Sequence, residues 1–169
     1  SFVSAMLVSS LCAIASAIFI YEIAALDYPR ETALRAIKFL FLTPAAFFFA
    51  APMTESLFLL CSLACVYLVR KGHFLWGCLL GALASFSRSL GVILLAFVFV
   101  EWLYAFLRAK RIETFGETRK AFIGKGLCML LIPLGLAGYL FINYAVTGDP
   151  FKFMQYQKEH WSQGFGLFF

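Results

Sequence analysis

Charged residues are scarce in this sequence of 169 residues: only 14% are Asp, Glu, Lys or Arg, whereas 63% are hydrophobic and 18% are aromatic. A soluble domain has roughly a quarter of its residues charged and about half apolar. A soluble chain of this composition would expose apolar patches large enough to drive association. The composition therefore excludes an ordinary soluble domain and predicts that lipid is the solvent for most of the chain.

The sequence also lacks the motifs of several enzyme classes. It contains no Gly-rich phosphate loop, no metal-ligand spacing and no nucleophile paired with a base. The cysteines lie inside hydrophobic runs without CxxC spacing or a nearby His, at Cys12, Cys61, Cys65, Cys78 and Cys128. We interpret them as small packing residues and expect no metal and no cofactor. The net charge of +5 is expected to orient helices rather than to bind nucleic acid.

The hydrophobic runs predict about six membrane segments, because a spanning helix needs roughly 20 apolar residues. The segments cover about 2–21, 32–51, 55–69, 74–86, 91–107 and 126–146, and an outer amphipathic tail follows over 147–169. We expect an all-α, polytopic transmembrane bundle that forms a single membrane domain over 1–169. Both ends stop in apolar sequence, so we expect the chain to be an internal fragment of a longer protein.

The apolar run over 74–107 would be about 50 Å long as one helix, which is too long for an ordinary span. It is interrupted at 87–91, so we predict two short helices that turn around Arg88 as a tight hairpin. One strongly tilted helix is the alternative. Gly77, Gly81 and Ser85 recur every four residues in the first of the two helices, which predicts a stripe of small residues for close packing.

The distribution of basic residues orients these segments, because cytoplasmic loops carry an excess of Lys and Arg. With six spans, all but three of the 14 Lys and Arg residues fall on one side, the exceptions being Arg88, Lys152 and Lys158. The basic side is expected to be cytoplasmic. Thr54, Glu55 and the tail are then expected on the outer face together with Arg88.

Glu55 and Arg88 are the charged candidates on that face. Thr54 and Glu55 open the third segment, where Thr54 suits an N-cap and Glu55 suits the helix dipole. Glu55 is otherwise a ligand for sugar hydroxyls or for a substrate cation. Arg88 either snorkels to the interface from a short loop or binds an anion such as phosphate. An ion pair between Glu55 and Arg88 is a third option that satisfies both side chains.

The tail is predicted to form a helix with Asp149 at its cap and Pro150 at its first position. Aromatic side chains share one face of this helix: Phe153, Tyr156, His160 and Trp161. This face is either an interfacial aromatic belt or a platform for a sugar or lipid headgroup, with Gln155 supplying an amide.

Several sequence runs together resemble a known family. They are FLTPAAFFFAAPMTESLF over 41–58, RKG over 70–72, GALASFSRSLG over 81–91, and the tail from TGDPF over 147–151 to Gln155 and Trp161. In this order they resemble the PIG-V-like mannosyltransferases, which belong to the GT-C class of polytopic membrane glycosyltransferases.

The resemblance implies transfer of a sugar from a polyprenyl- or dolichyl-phosphate donor to a lipid or glycan acceptor hydroxyl on the non-cytoplasmic face. It implies a carboxylate general base in the first outer loop, which we expect before Ser1. It assigns Arg88 to the lipid phosphate and Glu55 to sugar binding or structure. Further candidates for substrate contact are Thr54, Gln155, His160 and Trp161. We favour a bacterial cell membrane, with the endoplasmic reticulum as the alternative.

Two other functions stay open at this point. The first is a transporter or flippase-like protein in which Arg88 and Glu55 line a substrate path. Transporters usually contain repeated halves and broken helices near the midplane, whereas this sequence has no internal repeat and its polar residues cluster at one face. The second is a non-catalytic membrane scaffold subunit.

Overall fold

The computed structural model describes residues 2–51, 53–111 and 115–161, and this part of the chain is helical throughout, without a β-strand. The α-helices are α1 (Phe2–Ala25), α2 (Arg30–Leu42), α3 (Phe47–Ala50), α4 (Glu55–Arg70), α5 (Phe74–Ser87), α6 (Leu94–Arg111), α7 (Phe115–Cys128), α8 (Leu131–Thr147) and α9 (Lys152–Trp161). Short 3-10 helices occur at Pro44–Ala46 and Ser89–Ile93. The all-α prediction is confirmed.

Three helical stretches of the described chain are long and apolar enough to cross a membrane: Phe2–Ala25, Ser89–Arg108 and Phe122–Thr147. Phe74–Ser87 is apolar but shorter. An integral membrane protein follows from these stretches, while the number of six segments stays a prediction.

The predicted segment over 32–51 is wrong as one continuous helix, because α2 ends at Leu42. The hydroxyl of Thr43 donates to the carbonyl oxygens of Phe39 and Leu40, at 3.0 and 2.6 Å. Pro44 follows and has no amide hydrogen to continue the ladder. The chain therefore leaves the α-helix here and reaches α4 through a 3-10 turn and the short α3.

A second break interrupts the segment predicted over 126–146, since α7 ends at Cys128 and α8 begins at Leu131. Pro133 lacks the amide that would donate to the carbonyl of Met129, which explains the break one turn earlier. The other end of α8 is as predicted. Gly148 adopts a left-handed conformation with φ 75° and its N–H donates to the carbonyl of Tyr144 at 2.8 Å.

The chain reverses direction at Arg88, as predicted, and a single tilted helix is excluded. Arg88 has extended φ and ψ values of −148° and 136°, which ends α5. Gly91 then folds back onto the end of α5, so closely that a Cβ on Gly91 would lie 2.4 Å from the backbone nitrogen of Ser85. Only a residue without a side chain fits at this approach.

The predicted stripe of small residues on α5 is the surface on which the bundle packs. A Cβ on Gly77 would meet the side chain of Val69, and one on Gly81 would meet Ile132 and the Sγ atom of Cys65. Ser85 on the same stripe is fully buried. The core beside this stripe consists of Cys65, Val69, Phe74, Cys78, Val98, Met129 and Ile132.

The five cysteines are free thiols, and all except the half-buried Cys128 are buried.

An ionic cluster around Arg70 closes the end of α4 that lies away from Arg88. The guanidinium of Arg70 donates two hydrogen bonds to the carboxylate of Asp27, at 2.6 and 3.0 Å, and its Nε lies 3.8 Å from Glu101 Oε1. The hydrogen bond from Arg70 lowers the pKa of Asp27. The cluster therefore ties α4 to the α1–α2 turn and to α6.

We predict that Gly135→Ala destabilises the bundle, because its Cβ would lie 2.1 Å from the carbonyl oxygen of Ala82 where α8 crosses α5. Overpacking of this kind costs about 1–3 kcal/mol. Gly124→Ala is the matched control, since a Cβ there meets nothing within 4 Å. Thermal unfolding in detergent measures both variants, and equal stability of the two would contradict the predicted packing.

Candidate functional site

The candidate site lies where the start of α4 meets the turn after α5. Glu55 is the first residue of α4 and Arg88 is the residue that follows α5. Because these helices are antiparallel neighbours, their packing brings the two residues together. Arg88 Nη1 donates to Glu55 Oε1 at 2.5 Å. Of the interpretations offered by the sequence, the ion pair is the one that the structure shows.

The pair is partly shielded from solvent, with side-chain exposures of 36% for Arg88 and 29% for Glu55. Fully exposed ion pairs contribute little, because water screens them and ordering the side chains costs entropy. Partial burial strengthens the attraction, and it also makes an unpaired charge at either position costly. Each residue therefore fixes the other in place while both keep access to solvent or to a ligand.

The predicted capping role of Thr54 is wrong. Thr54 stands at the N-cap position, but its φ and ψ of −79° and −6° are helical and its side chain makes no capping hydrogen bond. Thr54 is exposed and lines a cavity of about 390 Å³ between α1 and α4, together with Ser9 and Met53. Glu55 in the first turn still suits the helix dipole.

Two serines hold the backbone that leads into α4. The hydroxyl of Ser56 donates to the carbonyl of Phe49 at 2.8 Å, and that of Ser9 donates to the carbonyl of Met53 at 3.4 Å. Both serines are buried. Sequence analysis missed them, because a serine inside an apolar run carries no signal of which distant carbonyl it contacts.

The second carboxylate oxygen of Glu55, Oε2, is buried and has no hydrogen-bond partner in the part of the chain that the structure describes. The buried hydroxyl of Ser87, next to Arg88 in sequence, is in the same situation. Buried polar atoms are nearly always hydrogen-bonded. Glu55 Oε2 therefore keeps an acceptor that no described side chain uses, while Oε1 holds Arg88.

The tail residues proposed from sequence are not joined to this pair by the contacts of the described residues. Helix α9 packs on α8 through the rings of Phe153 and Tyr139, whose centroids are 5.5 Å apart. Gln155 is exposed and makes no hydrogen bond to Glu55 or Arg88. The side chains of His160 and Trp161 lie outside the described residues.

The predicted start of α9 is shifted. Asp149 Oδ1 accepts a hydrogen bond from the N–H of Phe151 at 2.8 Å, which forms a turn before the helix. The first residue of α9 is Lys152 rather than Pro150.

The site combines a cation that suits an anionic ligand with a carboxylate oxygen that suits a hydroxyl. The guanidinium is a planar fork with five N–H donors, a geometry that matches phosphate. Among the described residues no group of three or more His, Cys, Asp or Glu side chains could hold a metal ion. The arrangement is suited to binding an anion through the partly exposed guanidinium.

We predict a measurable coupling between Glu55 and Arg88 in a double-mutant cycle of Glu55→Gln and Arg88→Gln. Residues in direct contact couple by about 0.5–3 kcal/mol. The control cycle is Glu31 with Arg35, which are 3.9 Å apart and 86% and 70% exposed, and which should couple by less than about 0.5 kcal/mol. Unfolding in detergent gives both values, and equal coupling would contradict the shielding of the Glu55–Arg88 pair.

Comparison with models of known protein families matches most of the chain. A family model described as Mannosyltransferase (PIG-V) matches residues 2–150, a range that includes Glu55 and Arg88 but not Gln155. No curated protein and no solved structure matches the chain. The family match extends over far more than half of the 169 residues. The chain belongs to the PIG-V mannosyltransferase family.

Proposed function

We propose that this protein transfers mannose from a polyprenyl- or dolichyl-phosphate donor to an acceptor hydroxyl on the non-cytoplasmic face of a membrane. Membership of the PIG-V family supports a membrane glycosyltransferase that uses a lipid-linked sugar. The apolar helices support its integral membrane location. The short connections between helices favour a bacterial cell membrane over the endoplasmic reticulum.

The observation that carries the proposal is the Glu55–Arg88 pair at the chain reversal. A guanidinium between two apolar helices is costly at membrane depth unless it faces water, a partner or an anion. Glu55 occupies one edge of the guanidinium through Nη1, and the side chain is still about one-third exposed. We assign the remaining N–H groups to the phosphate of the donor lipid.

In this proposal Glu55 is a positioning residue. One of its oxygens orients the guanidinium, and the exposed part of its side chain is assigned to contact with the transferred sugar. Glu55 Oε1 already accepts the hydrogen bond from Arg88, so we do not assign Glu55 to take the proton of the attacking hydroxyl. Arg88 and Glu55 contribute to catalysis by holding the phosphate and the sugar of the donor in a fixed relative position.

The charges at the two ends of α4 support the proposed orientation. Arg70 and Lys71 close the end that carries the ionic cluster, next to the turn that precedes the basic helix α2. The positive-inside rule assigns such an end to the cytoplasm. The Glu55–Arg88 pair at the opposite end of α4 then faces the outer compartment, and the chain crosses the membrane in about six segments.

We predict that Arg88→Ala in the full-length enzyme lowers the rate of mannose transfer by about 10²–10³-fold, the usual effect of losing one preorganised donor to developing charge. Arg88→Lys should restore part of the rate, because it keeps the charge but loses the planar fork. Lys152→Ala, on the tail, is the control and should leave transfer unchanged.

The measurement uses radiolabelled donor lipid and membranes that carry equal amounts of inserted protein. Transfer at the wild-type rate by the Arg88→Ala variant would refute the assignment of Arg88. An absence of transfer by the wild-type enzyme, together with movement of labelled lipid across the membrane, would instead favour the transporter or flippase-like alternative.

A further inference from the structure

Helix α2 carries its charged residues on one side of the helix, away from α1. At 100° per residue, Arg30, Lys38 and Arg35 fall within about 140° of one another around the helix axis. These side chains are exposed. The opposite side contains the fully buried Ala33 and also Ala36, which lines a cavity with residues of α1. We call the side formed by Arg30, Arg35 and Lys38 the basic face of α2.

The exposed surface of α2 changes from basic to apolar along the helix. No charged residue occurs after Lys38 until Glu55. The residues that follow Lys38 include Phe39 and Leu42, which are 73% and 77% exposed. Exposed Tyr28 lies in the turn just before the helix. This order is the one expected of a helix that enters the acyl-chain region from the headgroup layer.

Among the described side chains, none neutralises the charge of the basic face. Glu31 lies 3.9 Å from Arg35, but both side chains are mostly exposed, so the pair contributes little. The face therefore carries three cations and one acid. Arg70 differs, because its guanidinium is paired with Asp27 and contacts Glu101. The basic face is thus left to attract anions from outside the protein.

A stripe of three cations beside exposed aromatic residues does not suit contact with hydrocarbon alone. It suits a phosphate layer that lies directly above an acyl layer. The nine residues from Arg30 to Lys38 extend about 12 Å along the axis. The headgroup region of one leaflet is roughly 5–8 Å thick, and long basic side chains can reach into it from below.

We propose that the basic face of α2 binds the headgroup phosphates of anionic phospholipids, at the membrane boundary where the Arg70 cluster lies. The basic face matches the anionic headgroup of a phospholipid. The exposed apolar surface that follows it along α2 matches the acyl chains. The proposal rests on the membrane placement given under the proposed function, but it is independent of the transfer reaction and of the Glu55–Arg88 site.

The test is native mass spectrometry of the purified full-length protein, titrated with phosphatidylglycerol or with phosphatidylcholine of the same acyl chains. The wild type should retain phosphatidylglycerol preferentially. Each basic side chain near an anionic surface contributes roughly a fivefold gain in affinity. The variant R30Q/R35Q/K38Q should therefore lose at least about tenfold of this preference, whereas the control K152Q/K158Q on the tail should keep it.

Two further variants separate lipid binding from misfolding. R30K/R35K should retain the preference for phosphatidylglycerol, because its charge is unchanged, and Glu31→Gln should increase the preference by removing the acid beside the basic face. An unchanged preference in R30Q/R35Q/K38Q, or a decrease in Glu31→Gln, would overturn the proposal. Mannose transfer measured on the same samples reports separately on the proposed function.

Discussion

The contact between Arg88 and Glu55 is the constraint on which the rest of the structure depends. A chain reversal between two apolar helices leaves the charge of Arg88 without helical neighbours to shield it, and partial burial makes that charge costly unless it is paired. Glu55 supplies the partner from the start of α4. The contact closes the open end of the antiparallel α4–α5 hairpin, and the small residues of α5 face α4 and α8.

Helix α4 is a rigid connection between two ionic sites of different character. It contains 16 residues, which makes it about 24 Å long. At one end Glu55 keeps a buried oxygen without a partner among the described residues, whereas at the other end Arg70 is surrounded by carboxylates from α6 and the α1–α2 turn. The first end also keeps a guanidinium that is about one-third exposed. The second end has its charges matched internally and holds the helices together.

Sequence analysis predicted those features that depend on local composition. The all-α fold, the turn at Arg88, the stripe at Gly77 and Gly81, and the end of α8 at Gly148 each follow from one short stretch of sequence. The ion pair was one of several options, because sequence alone does not show which residues 33 positions apart become neighbours. The family itself was also identified from ordered short runs, and the family match confirms it.

The sequence-based predictions of helix ends failed where a side-chain hydrogen bond or a proline changes the backbone inside an apolar run. Thr43 and Pro44 end α2, although the apolar run continues through them. A hydropathy window counts these residues but does not register the hydrogen bond that each redirects or removes. The Thr54 cap failed for a related reason, since Glu55 is held by Arg88 and the preceding turn is held by Ser56.

The central claim is that the Glu55–Arg88 end of α4 faces the non-cytoplasmic compartment while the Arg70 end faces the cytoplasm. Single cysteines at positions 53, 149 and 111, introduced into the full-length protein after replacement of the native thiols, test it directly with a membrane-impermeant maleimide on intact cells. The account predicts labelling at 53 and 149, and labelling at 111 only after permeabilisation. Labelling of 111 from outside, with 53 and 149 protected, would contradict it.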